Sequence, residues 1–128
     1  MENRKLDAKG KGEYTYDFKN DILLFKIKDR DYKKSIDFGN IVVDIDSEDY
    51  ITGCRLMDAS KVFRMEKTQL MSVSGFEFNA SSEDKIITLD LHFTTLFRNK
   101  QIVEKGQNFV REAIDSHIID SFVTSTVA

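Results

Sequence analysis

A chain of 128 residues with 41% hydrophobic residues is large enough for one domain with a real core, which excludes global disorder. Its net charge of -3, with both signs interspersed, is not typical of a nucleic-acid binder, which normally carries a basic stripe. The single cysteine excludes an intramolecular disulfide, and the charged N-terminus and lack of a long apolar run predict a cytoplasmic protein without a signal peptide or membrane segment.

The N-terminal segment is polar and carries two glycines. We predict a flexible tail over residues 1–13, where Gly10 and Gly12 lie among charged residues. Order is expected to begin near Tyr14, because aromatic and polar residues alternate from there with the period of a strand. The sequence therefore predicts a single β-rich domain over residues 14–128.

The first half of this domain contains several strand patterns. Ile22 begins a run that is apolar on both faces, which is typical of a central strand. Residues 41–46 alternate between apolar and mostly acidic side chains, and residues 47–49 are a candidate hairpin turn. Residues 50–57 then return as the partner strand. Consecutive strands joined by short turns predict an antiparallel meander.

One helix is predicted, over about residues 59–71. Asp58 or Ser60 would cap it, because a short oxygen-bearing side chain accepts an otherwise unpaired backbone N–H. Ala59 and Phe63 belong to its apolar face. This helix is expected to cover one face of the sheet.

The second half returns to β-structure. Residues 86–97 alternate most regularly of all, followed by a turn at 98–100 and a strand at 101–105 that pairs back. Residues 108–119 fit a helix and a strand equally well, and residues 121–127 predict a terminal strand. The fold class is therefore α+β, predominantly antiparallel β, with a meander sheet and one covering helix.

A series of short segments in the first half has an order and spacing that resemble those of a known family. The segments are Tyr16-Asp17, Asn20-Asp21-Ile22-Leu23, Ser35, Ile41-Val42-Val43-Asp44-Ile45-Asp46, Gly53 and Asp58-Ala59-Ser60-Lys61. Over residues 14 to about 63 they resemble the small prokaryotic proteins catalogued as "domain of unknown function 2283". The segment 96–100 is similar to one in longer archaeal relatives, which implies an archaeal protein.

The resemblance implies a β-meander followed by a helix, and no reaction, because the family has none assigned. Some relatives resemble partners of small ribonuclease-type toxins, which implies an antitoxin-like role with a small basic partner protein as an alternative. The chain departs from the family pattern at Leu24, at Asp49 in place of a turn glycine, and at Cys54 within a different strand sequence. Residues 64–128 extend beyond the family-like half, 14–63.

Four carboxylates around the predicted hairpin suggest a calcium loop, since hard cations bind several carboxylates. They are Asp44, Asp46, Glu48 and Asp49. An EF-hand beginning at Asp44 would need glycine at its sixth position and glutamate at its twelfth, and the chain has Asp49 and Arg55 there. We therefore favour a solvated turn, with Asp49 tolerating left-handed backbone geometry.

Two other groups carry potential ligands or nucleophiles. His117 lies near Asp115 and Asp120, but an isolated histidine is weak evidence for a transition-metal site. Cys54 would need a base or a basic environment to act as a nucleophile, and its strand position favours a buried structural thiol. Neither group predicts a site.

Asp90 and His92 project from one face of the same predicted strand, so that acid–base chemistry is conceivable. No third group, phosphate-binding glycine loop or nucleophile elbow accompanies them. We therefore predict no catalytic, cofactor-binding or metal-binding residue, and no cofactor.

These observations favour a non-enzymatic protein-interaction module without nucleic-acid or membrane binding. The antitoxin-like role is the alternative, and a metal-binding protein or enzyme is a further one. We expect a homodimer, because the strand from Tyr14 and residues 121–127 carry little charge and are predicted to be exposed edges.

Overall fold

A computed structural model describes residues 4–97, 101–113 and 117–127. The described strands all belong to one nine-stranded sheet, and two short helices accompany it. In chain order the elements are β1 (Arg4–Asp17), β2 (Ile22–Ile27), β3 (Tyr32–Asp37), β4 (Ile41–Asp46), β5 (Ile51–Leu56), α1 (Ala59–Phe63), α2 (Lys67–Met71), β6 (Val73–Glu83), β7 (Ile86–Phe97), β8 (Gln101–Glu112) and β9 (Ser121–Val127). Neither described helix is long and apolar enough to cross a bilayer.

The sheet is predominantly antiparallel, as predicted, but it contains one parallel pair, which corrects the prediction of a simple meander. Its strand order is β3-β4-β5-β2-β1-β9-β6-β7-β8, and β1 pairs with β9 in parallel while the other pairs are antiparallel. The strands near the two chain ends are therefore central. The prediction that the Tyr14 strand and residues 121–127 are exposed edges is wrong, since the edges are β3 and β8.

The predicted flexible tail is also wrong for residues 4–13, which form most of β1. Pairing with β9 orders them, and an irregularity between Ala8 and Gly12 shifts the register. Gly10 has a positive φ of 79° there, and its amide donates to the Thr126 hydroxyl at 2.8 Å. Gly12 is required for a different reason, which is space: a Cβ at this position would lie 2.6 Å from the Phe25 ring.

Several strand predictions are confirmed. Residues 41–46 and 86–97 form β4 and β7 with the predicted bounds, and 121–127 forms β9. The antiparallel pairing of β8 with β7 is confirmed as well, and β8 continues to Glu112. The ambiguous segment 108–119 is thus strand up to residue 112, whereas the predicted turn at 98–100 lies outside the described residues.

The single predicted helix is instead two helices. Arg64 adopts a left-handed φ of 55°, which ends α1 because a helix cannot continue through that conformation. Glu66 and Gln69 then form a capping box that begins α2. The predicted cap at Asp58 or Ser60 is wrong: Asp58 is the N-cap residue but its side chain makes no cap hydrogen bond, and the Ser60 hydroxyl bonds elsewhere.

The sheet curls around one hydrophobic core. Phe25 of β2 stacks on Phe78 of β6 with ring centroids 4.6 Å apart, although β1 and β9 separate these strands within the sheet. The curl also brings the regions beside the two edges together: Lys34 of β3 donates to the His117 carbonyl, and Arg111 of β8 donates to the Asn40 side chain. The inner face is therefore buried, and the outer face meets solvent.

Candidate functional site: a polar groove on the outer face

The outer face of β9, β6, β7 and β8 forms an open groove with a volume of about 1000 Å³. Alternation along each strand explains its polarity, since the apolar positions point to the core. Phe76, Leu91 and Phe93 are buried, while Glu77 and His92 are exposed. Its lining is formed by Gly75, Phe76, Glu77, Asn79, Asp90, His92, Phe93, Thr94, Gly106, Gln107, Asn108, Thr126 and Val127.

Strand register brings the polar side chains together from four separate parts of the chain. Glu77 pairs with Thr126 on one side and His92 on the other, and His92 pairs with Gly106. The next row of the groove is Asn79, Asp90 and Asn108. Side chains directly opposite each other on paired strands lie about 5 Å apart at Cβ, so that Asn79, Asp90 and Asn108 are close neighbours on this surface.

Asp90 and His92 form the centre of this surface. The His92 Nε2 lies 2.8 Å from Asp90 Oδ1, and both side chains are partly open to solvent. The missing side chain of Gly106 makes room for the imidazole, because a Cβ there would lie 2.5 Å from His92 Nδ1. The structure therefore brings together the two residues that the sequence considered for acid–base chemistry, and adds a glycine that fits the ring.

The groove carries negative but no strong positive charge. Among the residues that the structure describes, its lining contains two carboxylates, Glu77 and Asp90, and no lysine or arginine. Asn79 donates a 3.0 Å hydrogen bond to Glu77 Oε1. At neutral pH the lining is thus suited to cations and hydrogen-bond donors rather than to phosphates.

The four carboxylates of the suspected calcium loop bind groups of the protein itself. Asp44 accepts from the Ser35 hydroxyl at 2.7 Å and lies 3.7 Å from Arg55, and Asp49 bonds Lys33 at 2.8 Å. Glu48 pairs with Arg30. These partners explain why the turn carries so many acids.

Asp46 is the innermost of these acids, with 1% of the residue exposed. One oxygen accepts the Glu48 and Tyr50 amides at 2.9 and 2.8 Å, and the other accepts from Arg30 Nε at 2.8 Å. Asp49 has the predicted left-handed backbone, with φ 67°. The geometry is that of a hairpin closed by its own side chains, in which the left-handed Asp49 is as predicted but the innermost acid, Asp46, is buried and not solvated.

The remaining candidates lie apart from the groove. Cys54 is fully buried, and burial together with nearby Asp44 raises the pKa of its thiol to about 12. Asp120 accepts from the Asp84 amide, and Asp115 lies outside the described residues. Within the described part of the chain, no group of three His, Cys, Asp or Glu side chains is placed to hold a metal ion.

The motif residues of the family-like half form a buried hydrogen-bond network. Asp21 is 7% exposed and has φ 57°, and it accepts from the Tyr16 hydroxyl at 2.6 Å and from the Ser60 hydroxyl at 2.6 Å. The Ser60 amide adds a third bond at 3.0 Å. Burial alone would raise the pKa of Asp21, but the bonds from Ser60 and Tyr16 hold it below its ordinary value. The motif therefore fastens α1 to the β1–β2 turn.

Residues 13–60 match the family described as "Protein of unknown function (DUF2283)". The chain belongs to this family. A protein of Methanosarcina mazei named "Putative hypoxanthine phosphoribosyltransferase" is 34% identical over 94 residues, which cover 73% of this chain and 76% of that protein. An uncharacterized protein of Methanocaldococcus jannaschii is 30% identical over 92 residues, covering 71% of this chain and 79% of that protein. No solved structure matches the chain.

Most of the groove is not evident from the sequence. Residue types alone do not single out Glu77, Asn79 and Asn108, nor do they connect Gly106 with His92. All four come from β6 and β8, whose register against β7 places them beside Asp90 and His92. The alternation of the sequence indicates that these residues point outward, but it does not indicate which residues lie opposite them on the neighbouring strands.

Proposed function

We propose that the protein is a cytoplasmic, non-enzymatic protein-interaction module, and that its groove receives a lysine- or arginine-bearing segment of a partner protein. The observation that carries this proposal is the lining, whose described residues present the carboxylates of Glu77 and Asp90 and include no lysine or arginine. A cationic side chain in the groove would meet both carboxylates. Such complementarity contributes mainly to specificity and association rate.

The neutral polar groups of the groove suit an extended peptide. Asn79, Asn108 and Thr126 supply amides and a hydroxyl, which can both donate to and accept from a peptide backbone. The volume of about 1000 Å³ is large enough for several side chains. An extended segment lying along the strands would therefore find hydrogen bonds in each row it crosses.

The non-enzymatic part of the proposal is supported by the state of the reactive groups. The Cys54 thiol is buried and has a raised pKa, which disfavours the thiolate that nucleophilic attack requires. Asp90 and His92 form a pair, and the lining residues that are described include no serine or cysteine that a histidine base would activate. Binding is thus the simpler use of this surface.

The printed name of the Methanosarcina relative suggests a phosphoribosyltransferase as a different function. A phosphoribosyl substrate carries phosphate groups, which proteins usually bind with arginine, lysine, backbone amides or a metal ion. Glu77 and Asp90 would repel those groups. The charge of the groove therefore favours the interaction module over this enzyme.

The antitoxin-like role implied by the family resemblance is a special case of the same proposal. Its partner would be a small basic protein of the ribonuclease type. The negative charge of the groove supports a basic toxin as partner in the same way as it supports any other cationic partner. Co-purification with the product of an adjacent gene, lost on changing the groove, would distinguish it.

A peptide titration followed by amide NMR tests the proposal. A short lysine- and arginine-rich peptide should shift the amides of β6, β7 and β8 around Glu77 and Asp90, and added salt should weaken the binding. Glu77→Gln combined with Asp90→Asn should reduce the affinity at least about tenfold, since each carboxylate contributes attraction.

The matched control is Glu83→Gln. Glu83 is an exposed carboxylate on the same strand, β6, but it lies outside the groove lining. If Glu83→Gln weakens binding as much as the double variant does, only the net charge matters and the groove is not the site. Absence of any shift at low salt would overturn the proposal.

A further inference from the structure

His92 lies at the centre of the groove, between the two carboxylates that carry the proposed function. Its Nε2 is 2.8 Å from Asp90 Oδ1 on its own strand, β7, and Glu77 lies directly opposite it on β6. We propose that protonation of His92 regulates this groove, so that the groove binds a lysine- or arginine-bearing segment at neutral pH and releases it in mild acid. This inference rests on the function proposed above and adds its dependence on pH.

The residues that share the outer face with His92 carry negative charge or none. Glu77 lies opposite it on β6, and Asp90 is its neighbour along β7. On β8, Gly106 lies opposite it, and the register places Glu104 one row further along. Within the described lining, which includes no lysine or arginine, His92 is therefore the one residue that can gain a positive charge near neutral pH.

The position of the imidazole is set by the neighbouring strand. A Cβ at Gly106 would lie 2.5 Å from His92 Nδ1, so the ring packs over the bare backbone of β8. Histidine side chains change charge between about pH 5 and pH 8, whereas aspartate and glutamate side chains ordinarily titrate near pH 4. Mild acid therefore adds a positive charge beside the two carboxylates of the groove.

This added charge opposes a cationic ligand in two ways. The imidazolium itself attracts the carboxylates of Glu77 and Asp90, and it repels an ammonium or guanidinium group that approaches them. In water, one unit charge about 4 Å away changes an affinity on the order of fivefold. Since the His92 side chain is partly open to solvent, we expect the affinity to fall by about three- to fivefold when the histidine is protonated.

Isothermal titration at low salt tests this regulation. The probe is an N-acetylated peptide rich in lysine and arginine, which has no group of its own that titrates between about pH 5.5 and pH 7.5. The native chain should bind it about three- to fivefold more weakly at the lower pH. In His92→Gln, which keeps a polar side chain without the titration, the affinity should be the same at both pH values.

The matched control is His117→Gln. His117 is the second of the two histidines in the chain and does not belong to the groove lining, so this variant should keep the native dependence on pH. Because both variants lose one histidine, the comparison separates the ring in the groove from histidine content in general.

Proton release provides a second, independent readout. If the peptide prefers the neutral imidazole, its binding near about pH 6.5 must release protons from the chains in which His92 is charged. Titrations in two buffers with different ionisation enthalpies should detect this release in the native chain and not in His92→Gln. Equal affinity of the native chain at both pH values, or a pH dependence that survives in His92→Gln, would overturn this inference and leave the proposed function standing. Absence of binding at both pH values would overturn both.

Discussion

The Ser60 hydroxyl donates a 2.6 Å hydrogen bond to the Asp21 carboxylate, although the two residues lie 39 positions apart in the chain. Asp21 belongs to the turn between β1 and β2, and Ser60 belongs to the first turn of α1. The Ala59 amide also donates to the Asp21 carbonyl, at 3.1 Å. The side chain and backbone of one aspartate therefore hold the start of the helix against the sheet.

Replacing Ser60 by alanine should destabilise the protein by about 1.5–3 kcal/mol, the usual range for a hydrogen bond to a charged group. The carboxylate is buried, so water does not readily replace the lost donor. Urea unfolding would measure the change. Ser74→Ala is the control, because the Ser74 hydroxyl bonds the Thr94 carbonyl at an exposed site and its loss should change the free energy by less than about 0.5 kcal/mol.

The same network predicts a particular loss of stability in acid. The pKa of Asp21 in the folded protein lies below its ordinary value, which is about 3.9 in an unfolded chain. Its contribution is therefore fully present well above the unfolded pKa and is lost as the pH falls through the folded pKa. Asp21→Asn should be less stable than the native protein at pH 6, and the difference should shrink below pH 4.

Unfolding midpoints between pH 3 and 6 would measure this difference. The comparison of the two proteins cancels the titration of the other carboxylates. Glu83→Gln provides a control, since it removes an exposed carboxylate that lies outside the Asp21 network. A difference between native and Asp21→Asn proteins that stays constant down to pH 3 would contradict the assigned role of Asp21.

Local patterns predicted the strands better than their arrangement. The alternation in β7 correctly predicts that Ile87, Leu89 and Leu91 are buried, because burial follows directly from the period of a strand. Residues 4–13 looked like a tail, since their order depends on a parallel partner more than 100 residues away. The split of the predicted helix depends on the left-handed Arg64, which its residue type does not predict.

The site was predictable to a similar, limited extent. The i, i+2 spacing of Asp90 and His92 correctly placed their side chains on one face, where they form the 2.8 Å contact. The contribution of Gly106 depends on which residue of β8 faces His92, and that register is set by the pairing of whole strands. Residue types alone therefore indicate the pair, whereas the groove follows from the fold.

Asp49 provides a test of backbone conformation. Its φ of 67° lies in the left-handed region, where a non-glycine residue costs roughly 1–2 kcal/mol. Asp49→Gly should therefore be close to neutral, because the loss of the Lys33 ion pair is offset by relief of this cost. Asp49→Ala loses the same ion pair but keeps a Cβ, so it should be less stable than Asp49→Gly by about 1 kcal/mol.

Urea unfolding of the two variants separates the backbone from the carboxylate, since both lack the charge. Equal stability of the alanine and glycine variants would show that the left-handed geometry is not costly at this position. A large loss in both would instead assign the importance to the Lys33 contact, which measures 2.8 Å.

Gly53 provides the sharpest test of the close approach between β2 and β5. A Cβ at this position would lie 2.7 Å from the Phe25 carbonyl oxygen and 3.1 Å from Asp44 Oδ2. The carbonyl belongs to a paired strand and cannot move aside as a flexible side chain can. Gly53→Ala should therefore destabilise the protein by about 1–3 kcal/mol, the usual cost of forcing extra atoms into a packed site.

Gly75→Ala is the matched control, because a Cβ there meets nothing within 4 Å and alanine is favoured over glycine in a strand. Urea unfolding measures the free energy of unfolding of both variants, and the reactivity of the native Cys54 thiol reports on local opening between β2 and β5. Cys54 is buried next to Gly53 in β5, so forcing β2 and β5 apart should speed its reaction with a thiol reagent in Gly53→Ala and not in Gly75→Ala. Unchanged stability and unchanged thiol reactivity in Gly53→Ala would mean that the two strands are free to separate at this point.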